Sequence, residues 1–130
     1  MIVYVCLDDR NGMLFNKRRQ SRDAKVLEDI RASISDVLTV DPFSETLIRD
    51  AGIPYVLAGE ELSSDAHFFL EARPAAEVLP AASTLVIYRW NRHYPADVRF
   101  DADLSEFTLQ STCDFGGKSH ETITKEVYIR

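Results

Sequence analysis

Two continuous apolar runs, Ile2-Val3-Tyr4-Val5-Cys6-Leu7 and Thr84-Leu85-Val86-Ile87-Tyr88, limit the folds open to this chain. A strand with one wet face alternates polar and apolar residues. A short run that is apolar throughout suits a strand covered on both faces. Segments of helical spacing lie between the two runs and supply such covers. Val26, Leu27, Ile30 and Ile34 share one face, as do Phe43, Leu47, Ile48 and Ala51, with Gly52 a natural stop. Ser21 is positioned to cap the first helix, with Asp23 in its first turn, and Asp41-Pro42 opens the second. Val37–Val40, Tyr55–Ala58 and Ala66–Leu70 read as further short strands, and Pro74–Leu79 as a short helix. The end of the chain changes character. Phe107–Cys113 and Thr122–Ile129 alternate with period two around Asp114-Phe115-Gly116-Gly117-Lys118-Ser119, which predicts an antiparallel hairpin. The fold class that follows is α/β: a mostly parallel sheet, helices on both faces, and a C-terminal antiparallel hairpin.

The 130 residues suit one domain, 1–130, large enough to bury about two-thirds of its unfolded surface. No apolar run approaches the ~20 residues of a membrane span. The first residues carry no basic segment and Asp8 follows at once, so no export leader is expected. Cys6 and Cys113 alone make no disulfide framework, and a cytoplasmic location with reduced thiols is the expectation. The net charge of −6 is uneven: residues 10–31 sum to +4 and the remainder to −10. An acidic body discourages general nucleic-acid binding, so the basic stretch Lys17-Arg18-Arg19-Gln20-Ser21-Arg22 stands out as a local feature.

Ligands of open α/β sheets bind at the carboxyl ends of the strands. Asp8 and Asp9 follow the first strand there and are candidate ligand-binding carboxylates, against a plain solvated turn. Arg18, Arg19, Ser21 and Arg22 precede a helix N-terminus, where amides, helix dipole and guanidinium groups would hold an anion. Asp23 is the best-placed acid for proton exchange with a ring nitrogen; otherwise it is a helix-dipole acid. His67, His93 and His120 are too scattered for a metal set, and no metal is expected; His120, on the hairpin, is the one to follow. Gly116-Gly117-Lys118-Ser119 lacks the spacing and the following helix of a phosphate loop and reads as a hairpin loop.

The order of these elements resembles the dihydrofolate reductase family. The first strand leading to Asn11-Gly12-Met13 is similar to the family's opening strand and turn. Val37–Val40 with Asp41-Pro42-Phe43-Ser44-Glu45-Thr46-Leu47-Ile48 resembles its second strand and following helix. His67-Phe68-Phe69-Leu70-Glu71-Ala72-Arg73-Pro74, Thr84–Tyr88, Asp97-Val98-Arg99-Phe100 and Ser119-His120-Glu121 resemble later stretches. The resemblance implies pterin and reduced nicotinamide binding, places Ser44 among the ligand-binding residues and Asp23 as the catalytic acid. The chain departs from the family where it matters for a dinucleotide. The glycine pair that lets backbone approach the pyrophosphate is Glu71-Ala72 here, and the helix and strand that flank the adenosine half, between Gly52 and Ala66, are missing.

The reading is therefore a divergent dihydrofolate reductase-like domain that binds a small anionic or heteroaromatic ligand at the sheet edge. Two alternatives stand beside it. One is an NADPH- or NADH-dependent reductase of a pterin-like C=N bond. The other is a non-catalytic module that applies basic loop 16–22 to an acidic partner or RNA. A small-molecule ligand is the expected partner, with no membrane, nucleic acid disfavoured by charge, and a homodimer open because a trimmed sheet edge exposes apolar surface.

Overall fold

A computed structural model describes residues 1–130. β1 (Ile2–Leu7) turns at residues 8–11 into β2 (Gly12–Phe15), which pairs antiparallel with β3 (Arg18–Arg19). Next come α1 (Ala24–Ser33), β4 (Leu38–Val40), a 3₁₀ turn at Pro42–Ser44, and α2 (Glu45–Asp50). β5 (Tyr55–Leu57), β6 (His67–Leu70) and α3 (Ala75–Val78) lead through a 3₁₀ turn at Leu79–Ala81 to β7 (Thr84–Arg89). β8 (Val98–Arg99), β9 (Thr108–Phe115) and β10 (Ile123–Ile129) complete the chain.

The main sheet runs β5-β4-β6-β1-β7-β10-β9, and a small second sheet runs β3-β2-β8. β5, β4, β6, β1 and β7 are mutually parallel; β10 is antiparallel to both β7 and β9. β1 is central, and its alternation explains its composition. Val3, Val5 and Leu7 enter the layer under α3 with Phe68, Leu70, Leu85 and Ile87. Tyr4 and Cys6 face the opposite layer, where Val26 and Ile30 of α1 and Leu47 and Ile48 of α2 cover the sheet. Both faces are dry along β1 and along Leu85–Tyr88 of β7, which accounts for their apolar composition. The Tyr88 hydroxyl donates to Asp29 on α1 at 2.5 Å, and Lys125 of β10 reaches the same carboxylate at 2.7 Å, pinning α1 over the sheet.

The fold class agrees with the sequence reading, and the local differences have physical causes. The stretch expected as a loop before α1 is the β2–β3 hairpin, closed by Asn16 and Lys17 with φ of 51° and 61°. The cap of α1 is Asp23 and not Ser21: its side chain accepts from the Lys25 amide. Ile34 lies just past the helix as its C-cap. Asp41 stands at the N-cap of the 3₁₀ turn that leads into α2, as expected, but its side chain makes no capping bond and is held by Arg73. Cys113 sits on the outermost strand, exposed. No helix or strand separates β5 from β6, so β5 is an edge with Val56 and Leu57 exposed. No helix is long and apolar enough to cross a membrane.

Candidate functional site

The carboxyl ends of β1, β6 and β4 meet the β2–β3 hairpin, and the junction is built from charge. Glu71 immediately follows β6. Arg19 of β3 grips it with two parallel bonds, Nε to Oε2 and Nη2 to Oε1, each 2.9 Å. The Ser44 hydroxyl, itself buried, donates to Oε1 at 2.7 Å. The Arg19 guanidinium also lies 5.3 Å from the centre of the Phe43 ring. A second pair, Arg73 with Asp41, ties the residues after β6 to those after β4. Bidentate arginine–carboxylate pairs are the strong, oriented ones, and partial burial strengthens them further. Beneath this lid the space is nearly gone. Only a small space, about 10 Å³, remains between Cys6, Met13, Arg19, Gln20, Leu70 and Glu71. Burial, and then the Glu71 charge, push the Cys6 thiol far above its ordinary range, so it stays protonated.

A second cluster joins the start of α1 to the β9–β10 loop. Asp23 is 1% exposed. Its Oδ1 accepts from the amides of Lys25 (2.8 Å) and Lys118 (2.9 Å). Its Oδ2 accepts from the Ser119 amide (2.8 Å), the His120 amide (3.1 Å) and His120 Nδ1 (3.0 Å). Burial alone would raise the carboxyl pKa; the amide and imidazole donors outweigh it and hold the group well below the usual carboxylate range. Gly117 permits the close approach: a Cβ there would stand 2.6 Å from Asp23 Oδ2 and from the His120 carbonyl. His120 is buried too. Its ring stacks on Trp90 at 4.5 Å, and its Nε2 lies 3.1 Å from both the Ser21 and the Tyr94 hydroxyls.

Asp8 is fully buried and plays a similar structural part. It accepts from the amides of Arg10, Gly12 and Tyr94 and from the Gln20 side chain, at 2.7–3.2 Å. Burial would raise its pKa, but these donors win and lower it. Gly12 is required there, since a Cβ would meet Gln20 Nε2 at 2.4 Å and Asp8 Oδ2 at 2.8 Å.

Bordering the Asp23 cluster is an open cleft of about 580 Å³ between α1 and α2. Leu27, Leu47 and Ala51 give it an apolar wall, and Arg22, Arg31 and Lys118 stand at its rim. Its rim acids are engaged: Glu28 pairs with Lys25 and Asp50 with Arg49. None of the three rim cations is in an ion pair, and Arg31 donates to the Gly52 carbonyl. The lining thus sets three cations outside any ion pair against three acids, each of which is held by a donor of the chain itself. A narrower space of about 20 Å³, lined by Cys6, Ser21, Leu27, Leu47 and Trp90 among others, continues the cleft inward past Asp23.

The residues singled out in the sequence are thus dispersed over several settings. Asp8 and Asp23 lie buried with their oxygens engaged. Arg19 and Ser44 share Glu71. Ser21 meets His120, and Arg22 faces the open cleft. Asp9 and Arg18 are exposed, Arg18 beside Lys17 and Phe43 on an open groove of about 360 Å³. Arg31 carries no signal in the sequence, whereas Tyr94 lies in the interleaved basic and aromatic stretch 89–94 and Lys118 in the Gly116-Gly117-Lys118-Ser119 loop.

No protein-family model and no curated protein matches the chain. Among solved structures it is similar to dihydrofolate reductase from Enterococcus faecalis complexed with NADP(H) and RAB-propyl. The similarity has a TM-score of 0.70 at 12% identity and covers 99% of this chain and 95% of that one. The chain has a dihydrofolate reductase-like fold.

Proposed function

We propose that this chain is a ligand-binding form of the fold, taking a small molecule with an anionic group and an apolar or aromatic body in the cleft between α1 and α2. One observation carries the reading: the cleft joins an apolar wall to three unpaired cations, while each acid on its rim other than the buried Asp23 is engaged by a neighbouring basic residue. Pockets that hold small ligands combine a largely apolar lining with a few convergent polar groups. The burial of the ligand's body would supply affinity, and Arg22 and Lys118 would select for negative charge.

The neighbour was solved with NADP(H), but the residues here do not fit a dinucleotide. Where backbone must approach a pyrophosphate closely, this chain sets the carboxylate of Glu71 and fastens it with Arg19 and Ser44. A second carboxylate, Asp41, stands beside it. We assign Asp23 an architectural role in the same reading. Both its oxygens are filled by donors of its own chain, and it holds the hairpin loop against α1.

Isothermal titration of the intact chain with para-aminobenzoylglutamate and with its uncharged diamide tests the proposal. The anion is expected to bind, and Arg22→Ala with Lys118→Ala to weaken it at least about tenfold, while Arg18→Ala leaves it unchanged. Equal binding of the diamide, or indifference to Arg22 and Lys118, would remove the basis of the assignment.

A further inference from the structure

We propose that Ser21 is an activated nucleophile, with His120 as its base and Asp23 as the group that orients the imidazole, acting on small acyl esters. The three side chains come from one loop before α1, the N-cap of α1, and the β9–β10 loop. They are linked in the order acid, imidazole, hydroxyl: Asp23 Oδ2 to His120 Nδ1 at 3.0 Å, and His120 Nε2 to Ser21 Oγ at 3.1 Å. Such a set is recognised by geometry and roles, independent of fold and chain order.

The tautomer follows from the surroundings. Asp23 is ionised and can only accept, so Nδ1 carries the hydrogen and Nε2 presents its lone pair to Ser21. Stacking on Trp90 and the His120 amide bond to Asp23 prevent the ring from turning. Burial is graded as a nucleophile requires: Asp23 and His120 are sealed from water, at 1% and 3% exposure, and Ser21 is partly exposed. Ser21 borders the narrow inner space that opens, past Leu27 and Leu47, into the wide cleft. Its narrowness favours a small acyl group, with the rest of the ester in the cleft. The Arg22 amide, next in sequence, donates to no carbonyl or side chain of the fold and is available to a developing oxyanion. Tyr94 competes with Ser21 for Nε2 and is not required.

In the reaction Ser21 Oγ bonds to the acyl carbon as its proton passes to His120 Nε2. The bond to the alcohol oxygen breaks, and the alcohol leaves with that proton. Water then adds to the acyl-serine, gives a proton to Nε2, and releases the carboxylic acid as Ser21 recovers its hydrogen. Only the choice of leaving alcohol rests on the cleft reading above. A nucleophilic Ser21 with no anion binding, or the reverse, would separate the two.

The test is incubation of the full chain with para-nitrophenyl acetate, reading nitrophenolate release and mapping acetylation by peptide mass spectrometry. The expected result is acetyl on Ser21 or steady release that depends on it. Ser21→Ala loses both, His120→Gln slows them on the order of 100-fold or more, and Tyr94→Phe retains them. Ser21→Ala removes one hydroxyl at a partly exposed site, and an unchanged melting curve shows that it is folded. Absence of both signals from folded wild-type protein overturns the proposal. So does an equal rate in His120→Gln, or acetyl found on Tyr94 in place of Ser21.

Discussion

Arg19 and Glu71 meet as a two-pronged ion pair, 52 residues apart in sequence, at the carboxyl end of β6. The pair closes the slot above Cys6 and ties the small sheet to the large one. Removing one partner leaves a partly buried charge without compensation, which costs more than the pair contributes. Glu71→Ala is expected to destabilise the fold by about 2 kcal/mol in urea unfolding, and Arg19→Leu with Glu71→Leu to recover most of that. A loss in the double variant equal to the sum of the single losses would show that the two residues act independently.

Asp23 makes stability depend on acid. Its folded pKa lies below the unfolded value of about 3.9. As pH falls, the unfolded chain takes up the proton first, so the stabilisation is complete above about pH 4 and is lost progressively towards the folded value. Asp23→Asn is expected to cost about 3 kcal/mol at neutral pH and to flatten the decline below pH 4. Unfolding free energies across pH 2–7 measure both. An unchanged acid slope would place the titrating group elsewhere, Asp8 being the other buried carboxylate held low.

Two glycines separate crowding from backbone geometry. At Gly117 a Cβ would press on Asp23 Oδ2 and on the His120 carbonyl, so Gly117→Ala should cost about 2–3 kcal/mol and loosen the β9–β10 loop. At Gly52 φ is +72° with nothing nearby, and Gly52→Ala should cost only about 1 kcal/mol. Thermal denaturation of the two variants decides between crowding and strain.

Lys17 sits at φ 61° in the hairpin turn, a conformation that a lysine adopts at a cost. Lys17→Gly should therefore stabilise the chain by up to about 1 kcal/mol, read as a higher melting temperature. A lower one would mean that the lysine makes a contact the turn depends on.

The parts of the fold that could be read in the sequence are those fixed by short-range pattern. β1 and the Leu85–Tyr88 stretch of β7 are apolar because both faces are covered, and the C-terminal hairpin shows its period of two. β2 and β3 were not legible. Their two-residue turn is Asn16-Lys17, without the glycine that normally marks it, and Arg18-Arg19 reads as a charged loop until Glu71 is beside it. The clusters were illegible for a different reason. Asp23 meets His120 from 97 positions away, and Asp8 meets Tyr94 from 86, so nothing local records the contact. Asp23 reads in sequence as a candidate acid, and a carboxylate aimed at a ligand and one aimed at its own chain look the same there.

The most direct measurement is a map of backbone amide NMR shifts in the intact chain, taken with an aromatic carboxylate and with reduced nicotinamide dinucleotide at millimolar concentration. The carboxylate should move the amides of residues 22–31, 47–51 and 118–119, and the dinucleotide should leave Cys6, Glu71 and Ala72 in place. Saturable shifts at Cys6, Glu71 and Ala72 with the dinucleotide, and none along α1 and α2 with the carboxylate, would contradict it.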